Sequence, residues 1–123
     1  MCRVSSAVPS GTLTAMTTIA VLGGTGPQGK GLAARWAKAG LDVVLGSRDP
    51  QRAQNAADEI GVRGAGNLDA ASQADLVVVA VPYDGHAATI AEVAPAVAGK
   101  ILIDCVNPLG FDKQGAFPIA VPE

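Results

Sequence analysis

Ile19-Ala-Val-Leu-Gly-Gly-Thr-Gly-Pro-Gln-Gly-Lys-Gly31 runs four apolar residues straight into a glycine-rich turn, and a helical pattern follows. Gly24, Gly26 and Gly29 carry the G-x-G-x-x-G spacing of a dinucleotide-binding turn, with Gly23 as an extra glycine in front. The spacing gives each glycine a task. Gly24 permits the tight turn off the strand, Gly26 lets backbone approach a pyrophosphate, and Gly29 lets the helix sit close to the strand. The first turn of that helix then offers its N–H groups and dipole to the anion. In a chain with 15 glycines the spacing alone says little. Its place between a strand and a helix gives it weight.

Outward from this turn, strands and helices alternate. Thr17 to Gly23 reads as a central parallel strand covered on both faces. Pro27 stands at the first helical position, where its missing N–H costs nothing. Leu32, Trp36 and Ala39 form a core-facing stripe that makes Trp36 a packing residue rather than a ligand platform, and Gly40 closes the helix. Leu41 to Gly46 is a second strand ending in Ser47-Arg48. Asp49 caps the next helix and Pro50 opens it; Ala53, Ala56, Ala57 and Ile60 mark one face, and Gly61 stops it. Val62 to Ala65 forms a short third strand, and Asn67 caps a brief helix through Gln73. Leu76 to Val81 is a fourth strand that Pro82 ends. The polar corner Tyr83-Asp84-Gly85-His86 leads into a helix with Ala87, Ile90, Ala91 and Ala94 inward, broken at Pro95. Ile101 to Val106 is a fifth strand, followed by Asn107-Pro108, and the chain turns irregular after Phe111.

This alternation predicts a Rossmann-like, doubly wound parallel α/β sheet with right-handed crossovers and strand order 3-2-1-4-5. A ligand then lies over the carboxyl ends of the strands, at the switch point between the first and the fourth. Gly24–Gly29, Ser47–Arg48, Val81–His86 and Asn107 all fall at such ends.

With 123 residues the chain has room for one domain, expected over residues 16–123. Residues 1–15 show no period and read as a disordered leader, or as an over-extended start with Met16 the natural one. At 49% hydrophobic and 16% charged the chain should fold, and with 3% aromatics its core must be built from Ala, Val, Leu and Ile. A net charge of -2 without a Lys/Arg cluster argues against nucleic acid. No apolar run approaches the about 20 residues of a membrane helix. Cys2 lies in the expected disordered leader and Cys105 in an expected buried strand, which makes a disulfide an unfavoured pairing and a reducing cytoplasm the simplest compartment. No Ser/His/Asp set or metal-spaced His/Cys group is present. Cys105, on a strand without a nearby base, reads as a small buried hydrophobe.

Cofactor choice turns on the end of the second strand. NAD-preferring domains carry an Asp or Glu there, bonded to the ribose 2′-OH. Here Gly46-Ser47-Arg48 supplies a hydroxyl and a guanidinium, and Arg52 points from the next helix to the same corner. An acid would repel a 2′-phosphate; an Arg fork binds one. Asp49 is occupied as a cap. The competing reading makes Ser47 a turn residue and both arginines solvated surface.

Leu22-Gly-Gly-Thr-Gly-Pro-Gln-Gly-Lys-Gly-Leu-Ala33, Gly46-Ser-Arg48, Asn67-Leu-Asp-Ala-Ala71 and Val79-Ala-Val-Pro82 together resemble the NADPH-dependent reductases of the deazaflavin coenzyme F420, over about Thr17 to Leu109. The resemblance implies hydride transfer between NADP(H) and the deazaflavin. It implies that Thr25, Gly26, Pro27 and Gln28 meet the pyrophosphate, and that Ser47, Arg48 and Arg52 hold the 2′-phosphate. Val81 and Pro82 would line the nicotinamide ribose, with Asn107 near the nicotinamide. The family has a His shortly after the Pro. His86 is the candidate, one residue further on, against a reading as a helix-start histidine. Family members are much longer, with a later region that binds the deazaflavin and forms a homodimer. The chain therefore reads as the NADPH half of a reductase: a truncated gene, a fragment or a single-domain relative. Such a half would expose apolar surface beside the fifth strand and associate. Three rivals stay open: an atypical short-chain dehydrogenase relative, a reductase for another acceptor such as a ketone, imine or ferric ion, and a non-catalytic NADPH-binding module. The first lacks the Tyr-x-x-x-Lys of that group.

Overall fold

A computed structural model describes residues 3–5 and 17–119. In chain order the elements are β1 (Arg3–Ser5), β2 (Thr18–Leu22), α1 (Pro27–Lys38), β3 (Asp42–Ser47), α2 (Pro50–Ile60), β4 (Arg63–Gly66), α3 (Asn67–Gln73), β5 (Leu76–Val79), α4 (Tyr83–Val97), β6 (Ile101–Asp104), β7 (Leu109–Asp112) and β8 (Gly115–Pro118). β2 lies at the centre, paired parallel with β3 on one side and β5 on the other. β4 joins β3 and β6 joins β5, both parallel. These five strands have the expected 3-2-1-4-5 order.

Because successive strand residues face opposite sides, each central strand serves two cores. Ile19, Val21, Val43, Leu45 and Val78 meet Ala33 of α1 and Ala56 and Ala57 of α2. Ala20, Leu22, Val44, Val77 and Val79 meet Ala70 and Ala71 of α3 and Val93 of α4. Alanines on the helices let their backbones come close to the sheet. Each fully buried Val or Leu then contributes about 1.5–3 kcal/mol. Trp36 packs against the first core, as its place in the stripe required.

The helix ends follow their sequence signals. Asp49 Oδ1 accepts a hydrogen bond from Gln51 N (2.9 Å), with Pro50 opening α2 and Gly61 ending it at φ 75°. Asn67, expected as a cap, is instead the first residue of α3, and Gly66 holds the cap position without a side-chain bond.

Six further expectations are corrected. Residues 1–15 contain a strand, since Arg3–Ser5 pairs antiparallel with β6 and covers the edge expected to lie open; the rest of that stretch lies outside the described residues. The corner Tyr83–His86 is the first turn of α4 rather than a loop before it. α4 also runs through Pro95 to Val97, because the proline falls in the last turn and disturbs little downstream. Its buried residues are Thr89 and Val93, while Ala87, Ala91 and Ala94 face out: alanine all round the helix leaves the apolar pattern without a direction. Likewise Ala39 is the exposed C-cap of α1. Beyond Asn107 the chain forms a two-stranded antiparallel ribbon, β7–β8, instead of irregular coil.

Candidate functional site

The loops that leave the carboxyl ends of β2, β3, β5 and β6 surround a cleft of about 1360 Å³. This exceeds the about 300–1,000 Å³ of an ordinary small-molecule pocket and suits an extended ligand. Its floor is the glycine turn. Gly23 takes φ 76°, and the N–H groups of Gly23 and Gly24 both donate to Gly46 O at 3.1 and 3.0 Å. The tight turn therefore belongs to Gly23 rather than to Gly24. Gly24 is bare because a Cβ there would lie 2.5 Å from Leu45 Cδ2 and 3.0 Å from Val21 O.

Gly29 does hold helix to strand: a Cβ would lie 2.7 Å from Gly23 O. Gly26 differs. The nearest atom to a Cβ there is Gly23 O at 3.6 Å, an ordinary contact. Nothing inside the protein demands a glycine at 26, and the bare position faces the cleft. A cradle left open on its ligand side fits the pyrophosphate assignment.

One end of the cleft is cationic. Arg48 and Arg52 line it, exposed, and neither forms an ion pair or hydrogen bond among the described residues. The acid beside them, Asp49, uses one carboxylate oxygen as the α2 cap. Ser47, buried beneath, accepts a bond from Asp49 N through Oγ (3.3 Å), so it also serves the turn. Two unpaired guanidinium groups with the local carboxylate engaged make a corner for a phosphate.

The opposite end is built from Val81, Pro82, Tyr83 and Asp84 after β5, from Cys105, Val106 and Asn107 after β6, from Leu109 and Phe117 of the ribbon, and from Ile119 just after it. It is mostly apolar and suits a flat ring. Thr25, Gly26, Pro27, Gln28, Ser47, Arg48, Arg52, Val81, Pro82 and Asn107 thus meet around one cleft. Gly24 and Gly29 shape its floor from beneath. His86 stands apart. Its Nε2 lies 2.8 Å from Asp104 Oδ2, while Asp104 Oδ1 accepts from Val106 N at 2.9 Å. The pair braces α4 against the loop that carries Asn107, and the histidine is not among the lining residues. Asn67 and Thr89 also line the cleft, and neither was given a site role from the sequence; Tyr83, noted only as part of a polar corner, and Cys105, read as a buried hydrophobe, line it too. For Asn67 the signal was present: a polar residue directly after a strand end, read as a helix cap and as the start of a family segment but given no ligand role.

A parallel sheet with an extended cleft at its switch point, floored by a glycine turn, defines a dinucleotide-binding domain of the Rossmann type. Within that class the chain belongs to the family described as NADP oxidoreductase, coenzyme F420-dependent, whose model matches residues 18–108. It is 47% identical over 100 residues to an F420-dependent NADP reductase of Methanothermobacter thermautotrophicus, covering 74% of this chain and 43% of that protein. The chain thus spans less than half the length of this relative. Among solved structures, a Streptomyces aurantiacus imine reductase is 30% identical with a TM-score of 0.57, over 68% of this chain and 29% of that one. A Plasmodium falciparum pyrroline carboxylate reductase with NADP bound gives a TM-score of 0.62 at 19% identity, over 76% of this chain and 34% of that one. This last likeness is one of fold. Among the described residues no helix is long and apolar enough to cross a membrane, and no cluster of three or more His, Cys, Asp or Glu is placed to hold a metal.

Proposed function

We propose that this chain binds NADP(H) and serves as the nicotinamide-cofactor half of a reductase that exchanges hydride with the deazaflavin coenzyme F420. The observation that carries the reading is the corner of Ser47, Arg48 and Arg52 beside a glycine turn whose Gly26 is bare only toward the cleft. The family match and the reductase of M. thermautotrophicus support the choice of acceptor.

The chain's own work is binding and orientation. The turn from Gly23 to Gly29 receives the pyrophosphate, and Arg48 and Arg52 take the 2′-phosphate that an acid at this place would repel. Val81, Pro82 and Asn107 hold the nicotinamide end, with the apolar ribbon residues excluding water from one side. When bound, NADPH supplies the hydride, so the protein needs no nucleophile or metal to generate it. Its contribution is to fix one ring so that the acceptor ring can approach face to face. We place the reductase in the cytoplasm and expect a homodimer where the later region of its longer relatives is present.

Mixing the protein with NADPH and F420 while following deazaflavin absorbance tests the reading. Turnover supports the reductase. NADPH binding without turnover leaves a cofactor-binding module, and absence of NADPH binding overturns the proposal.

A further inference from the structure

Asn67 is 2% exposed, lines the cleft, and its side-chain oxygen Oδ1 has no hydrogen-bond partner. Its position is fixed from two sides. It directly follows Gly66, which pairs in register with Ser47. Its Oδ1 also lies over Gly46, where a Cβ would come within 2.8 Å of it, with Leu22 and Ala70 beside it. The amide therefore sits one step from the Ser47–Arg48 corner, wedged among apolar groups. A leucine of similar size would fill that place without stranding a carbonyl. An orphaned buried acceptor lowers the stability of the protein that carries it, so packing alone does not account for asparagine here. Capping does not either, because Gly66 holds the cap position of α3.

We propose that Asn67 is a binding residue for the adenosine end of the dinucleotide, its amide rotating about Cβ–Cγ to take a hydrogen bond from a donor on the ribose or the adenine. The Cβ–Cγ torsion of asparagine is broad, so the turn toward the cleft is an easy one. The assignment rests on the NADP(H) reading above and adds a neutral contact to its cationic corner. Arg48 and Arg52 recognise charge. Asn67 recognises the nucleoside that bears it.

The test compares wild type with Asn67→Ala and Asn67→Leu, titrating each with NADPH and with adenosine 2′,5′-bisphosphate, which carries the adenosine end alone. Thermal melts of each free protein accompany the titrations. Both variants should bind both ligands about ten-fold more weakly, the worth of one hydrogen bond. Free Asn67→Leu should melt at or above the wild-type temperature, since the stranded carbonyl is gone. Should Asn67→Ala fold poorly, the leucine variant carries the test by itself. Unchanged affinity in a folded variant overturns the proposal. So does a loss confined to NADPH, which would move the contact away from adenosine, or a leucine variant that melts well below wild type, which would make Asn67 structural. A wild-type protein that binds neither ligand refutes the NADP(H) reading itself, a result distinct from any of these.

Discussion

At the amino ends of the parallel strands, polar side chains answer one another. Thr18 N donates to Asp75 Oδ2 at 3.0 Å and Thr18 Oγ1 to Asp42 Oδ2 at 2.8 Å. Arg63 bridges Asp42 (2.8 Å) and Gln73 (2.9 Å). At the carboxyl ends of the same strands, Arg48 and Arg52 have no such partners among the described residues, and the buried Asn67 Oδ1 has none. Both ends hold arginine, carboxylate and amide. What separates them is whether the protein completes the bonds of the arginines and the amide. The paired set contributes a little stability; Arg48, Arg52 and Asn67 Oδ1 give theirs up and stand open for the dinucleotide proposed above.

Four substitutions can break or sharpen that contrast. The largest effect belongs to Arg48→Ala, which should weaken NADPH binding by about 1.5–3 kcal/mol, the worth of a charged hydrogen bond, and leave NADH nearly unchanged. Paired fluorescence titrations check it, and an equal loss for both cofactors would sink the phosphate corner. Next comes Gly29→Ala. Its Cβ must displace backbone 2.7 Å away, so urea melts should show about 1–3 kcal/mol of lost stability. Gly26→Ala, three residues earlier in the same turn, should melt like wild type yet bind NADPH about ten-fold more weakly (about 1.4 kcal/mol). If the two alanines behave alike, the distinction between an internally required glycine and a ligand-facing one is wrong. Smallest is Arg63→Met in the paired set, where the pair with Asp42 is about half exposed on both sides. It should cost about 0.2–1 kcal/mol of stability and leave NADPH affinity untouched.

The strand order was legible because unbroken apolar runs such as Leu76–Val79 and punctuation such as Asp49-Pro50 and Gly61 report local physics directly. The cleft's cationic corner was legible for the same reason: Ser47-Arg48 occupies a place where the alternative is an acid. What escaped depends on non-local packing. α4 is rich in alanine on every side, so only its contact with the sheet decides that Thr89 and Val93 turn inward. The tight turn falls to Gly23 rather than Gly24 because a positive φ is set by how the turn docks on Gly46, which spacing does not encode. His86 was placed by analogy along the chain. The helix begins at Tyr83, and that start carries the imidazole to Asp104.

The antiparallel strand Arg3–Ser5 pairs with Asp104–Leu102, residues about 100 positions away. β2 and β3, by contrast, join partners about 24 positions apart. Closing the longer loop costs more chain entropy, although the increase is only logarithmic in length, and so distant a pairing contributes little until its partner strand already stands in place. The five parallel strands should therefore assemble first and the edge strand zip on last. In hydrogen exchange, the β1–β6 rung should open before the β2–β3 and β2–β5 rungs at the centre. The antiparallel edge strand, unlike the parallel edge β4, is then the part of the sheet whose attachment can come and go while the cleft stays whole.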